Sequence, residues 1–288
     1  MEQITYKYSY IWIIVSKWPG FHHSLRRDFP QLNKPITPEY RQRLIASAVR
    51  GASLMYILSR AVNKPFEEQP ALITGMLAAL FDDLIDEGAE NFETIRQLIE
   101  EPELARPASL HGEIARELYL SLLSHMNPWQ KQQLTEVLLK LLEIEKLVKV
   151  KRNGEWKKRG TYAFFVYLTL IRVPLEQINQ EVALKYGEYL QLLDDYEDFH
   201  TDDPHDNFFK THPGFDITTY YQSEIRPQLP AIFNFPFDQD FFSNFVDTYH
   251  YFQIHSYRNH YQKEHFIYPL KRRFIRFVVR KLNGNVPF

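Results

Sequence analysis

Six of the chain's 14 aspartates form two Asp-Asp-x-x-Asp groups. "LAALFDDLIDEG" carries Asp82, Asp83 and Asp86, and "YLQLLDDYEDFHTDD" carries Asp194, Asp195 and Asp198, with Asp202 following. On a helix, residues three and four apart share a face, so each doublet lies beside its third aspartate. Asp202 extends the second face by one turn. Like charges at this spacing repel by about 0.2–0.5 kcal/mol per exposed pair, and by more where water is partly excluded. A cation relieves that repulsion. An all-oxygen set without histidine or cysteine suits Mg²⁺, which takes one or two carboxylates and leaves its other positions to water and substrate phosphate. The ordinary alternative is a solvated acidic helix end. Two copies, each closing an apolar helical run, favour the metal.

Those runs define the elements that must position the carboxylates. Apolar residues recur at three- and four-residue spacings over 37–62, where Thr37 is an N-cap before Pro38, and over 67–88, entered near Pro70 and stopped near Gly88. The stretch 127–150 has Asn127 as cap and Pro128 in first position. Residues 160–173 read as a buried helix, 175–200 as one long helix, and 239–282 as helical with a break at Pro269. Loops are expected over 18–36, 102–108, 151–159 and 203–216. With 10 glycines and no alternating strand pattern, the fold class is all-α. The absence of a polar linker predicts one helical domain over 1–288, with 1–35 as a peripheral N-terminal segment.

A net charge of -2, from 34 Lys+Arg against 36 Asp+Glu, gives no argument for nucleic acid or an acidic membrane surface. Cysteine is absent, which excludes disulfides, thiolate metal sites and a cysteine nucleophile. The IWIIV patch near the start is too short for a secretory core, and 161–171 is too short to span a bilayer. A cytoplasmic protein without a transmembrane segment is expected. Aromatic residues make up 15% of the chain, enough to serve both a core and the lining of an apolar cavity.

The paired motifs resemble the two aspartate-rich motifs of class I isoprenoid synthases. With "PITPEYRQRLIASAV", "FDDLID", "KRGTYAF" and "LQLLDDYEDFHTDDPHDNFF", the chain is similar to the bacterial large-terpene synthases, the tetraprenyl-β-curcumene synthase group, over residues 35–210. The resemblance implies a helical bundle around a deep apolar pocket. It also implies three Mg²⁺ ions, held by Asp82, Asp83, Asp86, Asp194, Asp198 and Asp202, with Asp195 in the same catalytic cluster. The implied reaction is ionisation of a prenyl diphosphate followed by cyclisation or deprotonation, and a homodimer is an expected assembly. The Gly-Lys-x-x-Arg segment of chain-elongating prenyltransferases is missing, and the first motif runs into the acidic "EGAENFETIRQ". That favours a synthase using one diphosphate.

A diphosphate also needs basic groups. The basic run 148–162 offers Lys158 and Arg159, and the C-terminal segment offers Arg258 and Tyr261. Arg43 and Arg50 read as surface or structural residues. Phe81, Phe164, Phe165 and Tyr167 are the expected pocket wall, since aromatic faces stabilise cations. The scattered histidines suggest no metal site. Two rival readings stay open: a trans-prenyltransferase, chain-elongating or of the squalene/phytoene type, and a non-enzymatic helical binding protein.

Overall fold

The computed structural model describes residues 16–86, 88–151, 154–199 and 207–261; within its helices, the side chains at 86, 149–151, 154, 155, 252 and 255–261 lie outside the description. Eleven helices follow one another among the described residues. They are α1 (16–28), α2 (Pro38–Ala61), α3 (Glu68–Asp86), α4 (Phe92–Glu100), α5 (Leu110–Ser124) and α6 (Pro128–Lys151). Then come α7 (Lys158–Leu170), α8 (Gln180–Glu197), the short α9 (Phe208–Thr211) and α10 (Ile217–Tyr220), and α11 (Gln239–Tyr261). No strand occurs among them, and the one isolated bridge joins Ile178 to Phe233. The protein is all-α. No described helix is long and apolar enough to cross a membrane.

Side-chain chemistry sets the helix boundaries. The Thr37 side chain accepts from the Tyr40 amide and Pro38 opens α2, as their order in the sequence requires. The expected single helix over 175–200 is divided. Residues Leu175–Gln177 form a 3₁₀ turn, and Asn179 caps α8 by accepting from the Val182 amide. The expected loop over 18–36 is mostly helical, because Phe21, Leu25 and Phe29, four residues apart, bury themselves in the core at 0%, 1% and 3% exposure. This part of the 1–35 segment is therefore core, not periphery. In the expected 203–216 loop, Phe208–Thr211 forms a helical turn capped by Asn207. Pro269 lies outside the described residues.

Two helix pairs matter most, since each carries an aspartate motif. In the first, α2 packs against α3 with Gly51 facing Gly75, where an added Cβ at Gly75 would lie 2.2 Å from the Ser47 carbonyl oxygen. In the second, α7 packs against α8 at Gly160 and Gly187, where a Cβ at Gly160 would lie 2.1 Å from the Gly187 carbonyl oxygen. Only glycine permits backbones this close. α11 packs on both α2 and α8 and so joins the pairs. The buried apolar residues, from Phe21 to Ile254, form one continuous cluster.

Candidate functional site

Successive residues on a helix point about 100° apart, so the members of an Asp-Asp doublet cannot share an environment. In both motifs the first aspartate is exposed and the second buried. Asp83 is 3% exposed, and both of its oxygens are engaged from α2. Arg43 Nη1 approaches Oδ1 at 2.6 Å, and the Tyr40 hydroxyl donates to Oδ2 at 2.6 Å. Tyr40 is in turn stacked on His111 of α5, with ring centres 4.1 Å apart. Arg43–Asp83 and Gly51–Gly75 fit one antiparallel register, eight residues apart on each helix. Asp195, 7% exposed, accepts from the Phe208 amide at 2.9 Å and from Gln191 Nε2 at 3.3 Å. The Asn207 side chain also donates to its carbonyl oxygen at 2.5 Å. Asp83 and Asp195, expected among the catalytic carboxylates, are thus bound into helix packing and into the anchor of the segment after α8.

Asp82, Asp194 and Asp198 are the exposed members. Each motif occupies the last turn of its helix, where the negative end of the helix dipole already disfavours carboxylates. Burial, then Asp198, Asp195 and Glu197, push the Asp194 carboxyl up to about 6, against an opposing hydrogen bond from Gln191.

The same combination marks two tyrosines. Tyr249 of α11 is 38% exposed, yet burial is the first cause raising its hydroxyl; Glu197 and Asp194 raise it further, while a hydrogen bond from Gln253 and the charge of Arg50 oppose them. Tyr167 of α7 is partly exposed, and burial, then Tyr249, push it up to about 12, with Arg50 opposing and Asp82 adding. Arg50 of α2 therefore lies within electrostatic reach of both tyrosines. Tyr167 reaches the first motif through Asp82, and Tyr249 reaches the second through Asp194. The α2–α3 pair carries the first motif, the α7–α8 pair carries the second, and α11 packs on both α2 and α8.

Other expected site residues fall elsewhere. Arg159 is bound to Glu145 of α6 at 2.5 Å, and Lys158 is half-buried at the start of α7. Phe164 and Phe165 are core residues at 3% and 6% exposure, with Phe164 set edge-on to Tyr186 at 5.1 Å. Phe81 is partly buried against the core. Asp202 lies outside the described residues, as do the side chains of Asp86, Arg258 and Tyr261. Among the described residues no three carboxylate or imidazole groups converge as a ready metal site.

By sequence Arg50 read as a surface or structural residue, and Tyr249 was not singled out. The signal for Arg50 was its place seven residues after Arg43, which puts both on the stripe of α2 that faces α3. Tyr249 follows Phe245 and precedes Gln253 by four residues each, one face of α11 that only the tertiary packing identifies. Comparisons with protein families, with characterised proteins and with solved structures find no match.

Proposed function

We propose that this chain is a class I terpene synthase that ionises one allylic prenyl diphosphate and releases a cyclised or deprotonated product. The observation carrying this reading is that both motifs split alike, with Asp83 and Asp195 buried in hydrogen bonds and Asp82 and Asp194 exposed, on helix pairs that α11 joins. The resemblance implies Mg²⁺, and Asp82, Asp194 and Asp198 are the exposed carboxylates that would hold it, though no three such groups converge among the described residues. Their donors are all oxygen, and acidic neighbours crowd Asp194. Asp83 and Asp195, already bonded, have no part in holding it. The cation when bound supplies Lewis-acid stabilisation of charge on the diphosphate as the C–O bond breaks.

The protein's own contribution is placement and exclusion. Phe81 and Tyr167, partly buried against the core, are the candidates for an apolar wall that would favour an allylic cation and keep water from it. α11, packed on α2 and on α8, links the two carboxylate-bearing pairs, which would limit reorganisation on ionisation.

The test is product analysis by gas chromatography–mass spectrometry after incubation with Mg²⁺ and prenyl diphosphates from C10 to C35, with and without isopentenyl diphosphate. A hydrocarbon or alcohol from one allylic substrate is expected, lost in Asp82→Asn and in Asp194→Asn. Longer diphosphates formed only with isopentenyl diphosphate would make the chain an elongating prenyltransferase. A doubled carbon count would point to head-to-head coupling, and a folded protein inert throughout would return the non-enzymatic reading.

A further inference from the structure

We infer that the docking of α11 on α8 is gated by one proton: neutral His250 holds the two helices together, and its protonation releases α11 from the helix that carries the second aspartate motif. A synthase and a non-enzymatic helical protein would share this gate, since neither motif takes part in it. His250 is buried on α11, with Nδ1 2.6 Å from the Tyr189 hydroxyl of α8. Tyr221 stacks on the imidazole with ring centres 4.3 Å apart, and on Tyr189 at 5.0 Å. Tyr221 opens the π-helical turn Tyr221–Ile225, a rare geometry, and donates its hydroxyl proton to Asp247 at 2.7 Å. Tyr189 is fully buried, and among the described residues its hydroxyl bonds to His250 alone. Burial first, then the neighbouring Tyr221, keep that hydroxyl protonated. A buried hydroxyl proton needs an acceptor, so Tyr189 donates to an unprotonated Nδ1, and His250 is the neutral tautomer with its proton on Nε2.

A second proton, placed on Nδ1, takes away the only acceptor of Tyr189 and buries a cation. The Tyr221 face offsets part of that cost. The charged groups around α11 do not offset the rest. Arg226, from the 3₁₀ turn Arg226–Ala231, closes on Asp247 at 3.1 Å and neutralises the carboxylate one turn before His250. On α2, Arg60 lies over the Phe241 ring at 5.0 Å and the charge of Arg50 reaches Tyr249; both are cations. On α8, Tyr186 packs beside Tyr189, while Glu197 and Asp194 act on Tyr249, which points about 100° away from His250. The docked helix therefore disfavours the proton that a released His250 would take up at its ordinary value near 6.5. Docking is fully favoured above that value and is lost as pH falls below it. One turn beyond His250, Gln253 donates to Glu197 in the last turn of α8 at 3.0 Å, so release of α11 also frees the end of the second motif.

Nuclear magnetic resonance of the ¹⁵N-histidine-labelled full chain tests the starting state, with the His250 signal identified by its loss in His250→Gln. Wild type should show the Nε2–H tautomer at pH 7 and titrate below about 5.5. Tyr189→Phe removes the donor that favours unprotonated Nδ1, so there His250 should titrate at a higher pH. Glutamine at 250 keeps an acceptor for Tyr189 and takes up no proton. Urea denaturation at pH 7 and pH 5 should then show the folding constant of wild type falling about 5- to 25-fold relative to that of His250→Gln. Groups common to both proteins cancel in that ratio. Hydrogen exchange read by mass spectrometry, corrected for intrinsic rates, should show α11 losing protection at pH 5.5 ahead of α2 in wild type. Should His250→Gln fail to fold, the Tyr189→Phe titration and wild-type exchange decide alone. A His250 already charged at pH 7 would overturn the gate, as would wild type and His250→Gln changing alike within twofold. Loss of protection in α11 and α2 together would also overturn it, because the proton would then act on the whole fold and not on one helix.

Discussion

At the scale of single residues, the two Asp-Asp doublets divide their labour by helix geometry. Asp83 neutralises Arg43 and accepts from Tyr40 inside the α2–α3 interface, while Asp82 faces outward. Asp83→Ala should therefore destabilise the protein by about 1–3 kcal/mol, less than a fully buried pair because Arg43 is half-exposed. Asp82→Asn should leave the melting temperature within about 2 °C of wild type while removing turnover. Urea titrations of the two variants read the difference; equal destabilisation would mean that the doublet acts as one unit. Asp194 gives a pH signature. Its carboxyl, pushed up to about 6, binds a proton more tightly folded than unfolded, so its ionisation lowers stability as pH rises between about 4 and 6. Asp194→Asn removes that penalty and should stabilise the metal-free protein at pH 7.5 by about 1 kcal/mol, once solvent screening at an exposed group is counted. The gain should vanish below pH 4. Melts at both pH values decide it, and a variant less stable at both would show Asp194 in a structural role instead.

At the scale of elements, helix periodicity made the long helices legible, because a buried stripe repeats every three or four residues whatever it packs against. What periodicity cannot express is where a side chain ends one helix and begins another. Asn179 as the cap of α8 is one case, and the irregular helical turns of 217–231 are another. The N-terminal helix escaped because histidine and arginine crowd around Phe21 and Leu25, hiding a core stripe among polar residues. The close glycine contacts were equally invisible, since a glycine shows its partner only in three dimensions. They yield a sharp expectation. Gly187→Ala would set a Cβ 2.2–2.4 Å from Thr161 and should destabilise by at least about 1–3 kcal/mol. Gly20→Ala, with nothing within 4 Å of the added carbon in helix α1, should stabilise by about 0.5–1 kcal/mol. If thermal denaturation ranks the two the other way, the α7–α8 approach is looser than described.

At the scale of the whole molecule, the carboxylates were legible because they cluster in sequence, whereas contacts such as Tyr40–Asp83 and Tyr189–His250 form only when distant helices close. The partner of Arg159 was hidden for the same reason: a basic run in sequence says nothing of Glu145 on α6. α11 is the element that makes the two helix pairs one structure, and its contact with α8 contains the buried pairing of Tyr189 with His250. A buried polar pair resists removal of one partner more than removal of both, because the survivor keeps its desolvation without its bond. Tyr189→Phe should therefore lower stability by about 1–3 kcal/mol, and His250→Phe by a similar amount. The double variant should be less destabilised than the sum by about 0.5–3 kcal/mol. A double-mutant cycle by urea denaturation measures that coupling. If α11 joins the pairs as described, all four proteins should also unfold in a single transition seen alike by far-ultraviolet circular dichroism and tryptophan fluorescence. Additive single effects, or a separate early transition in Tyr189→Phe, would show α11 to be an appendage and not the element that joins the two pairs.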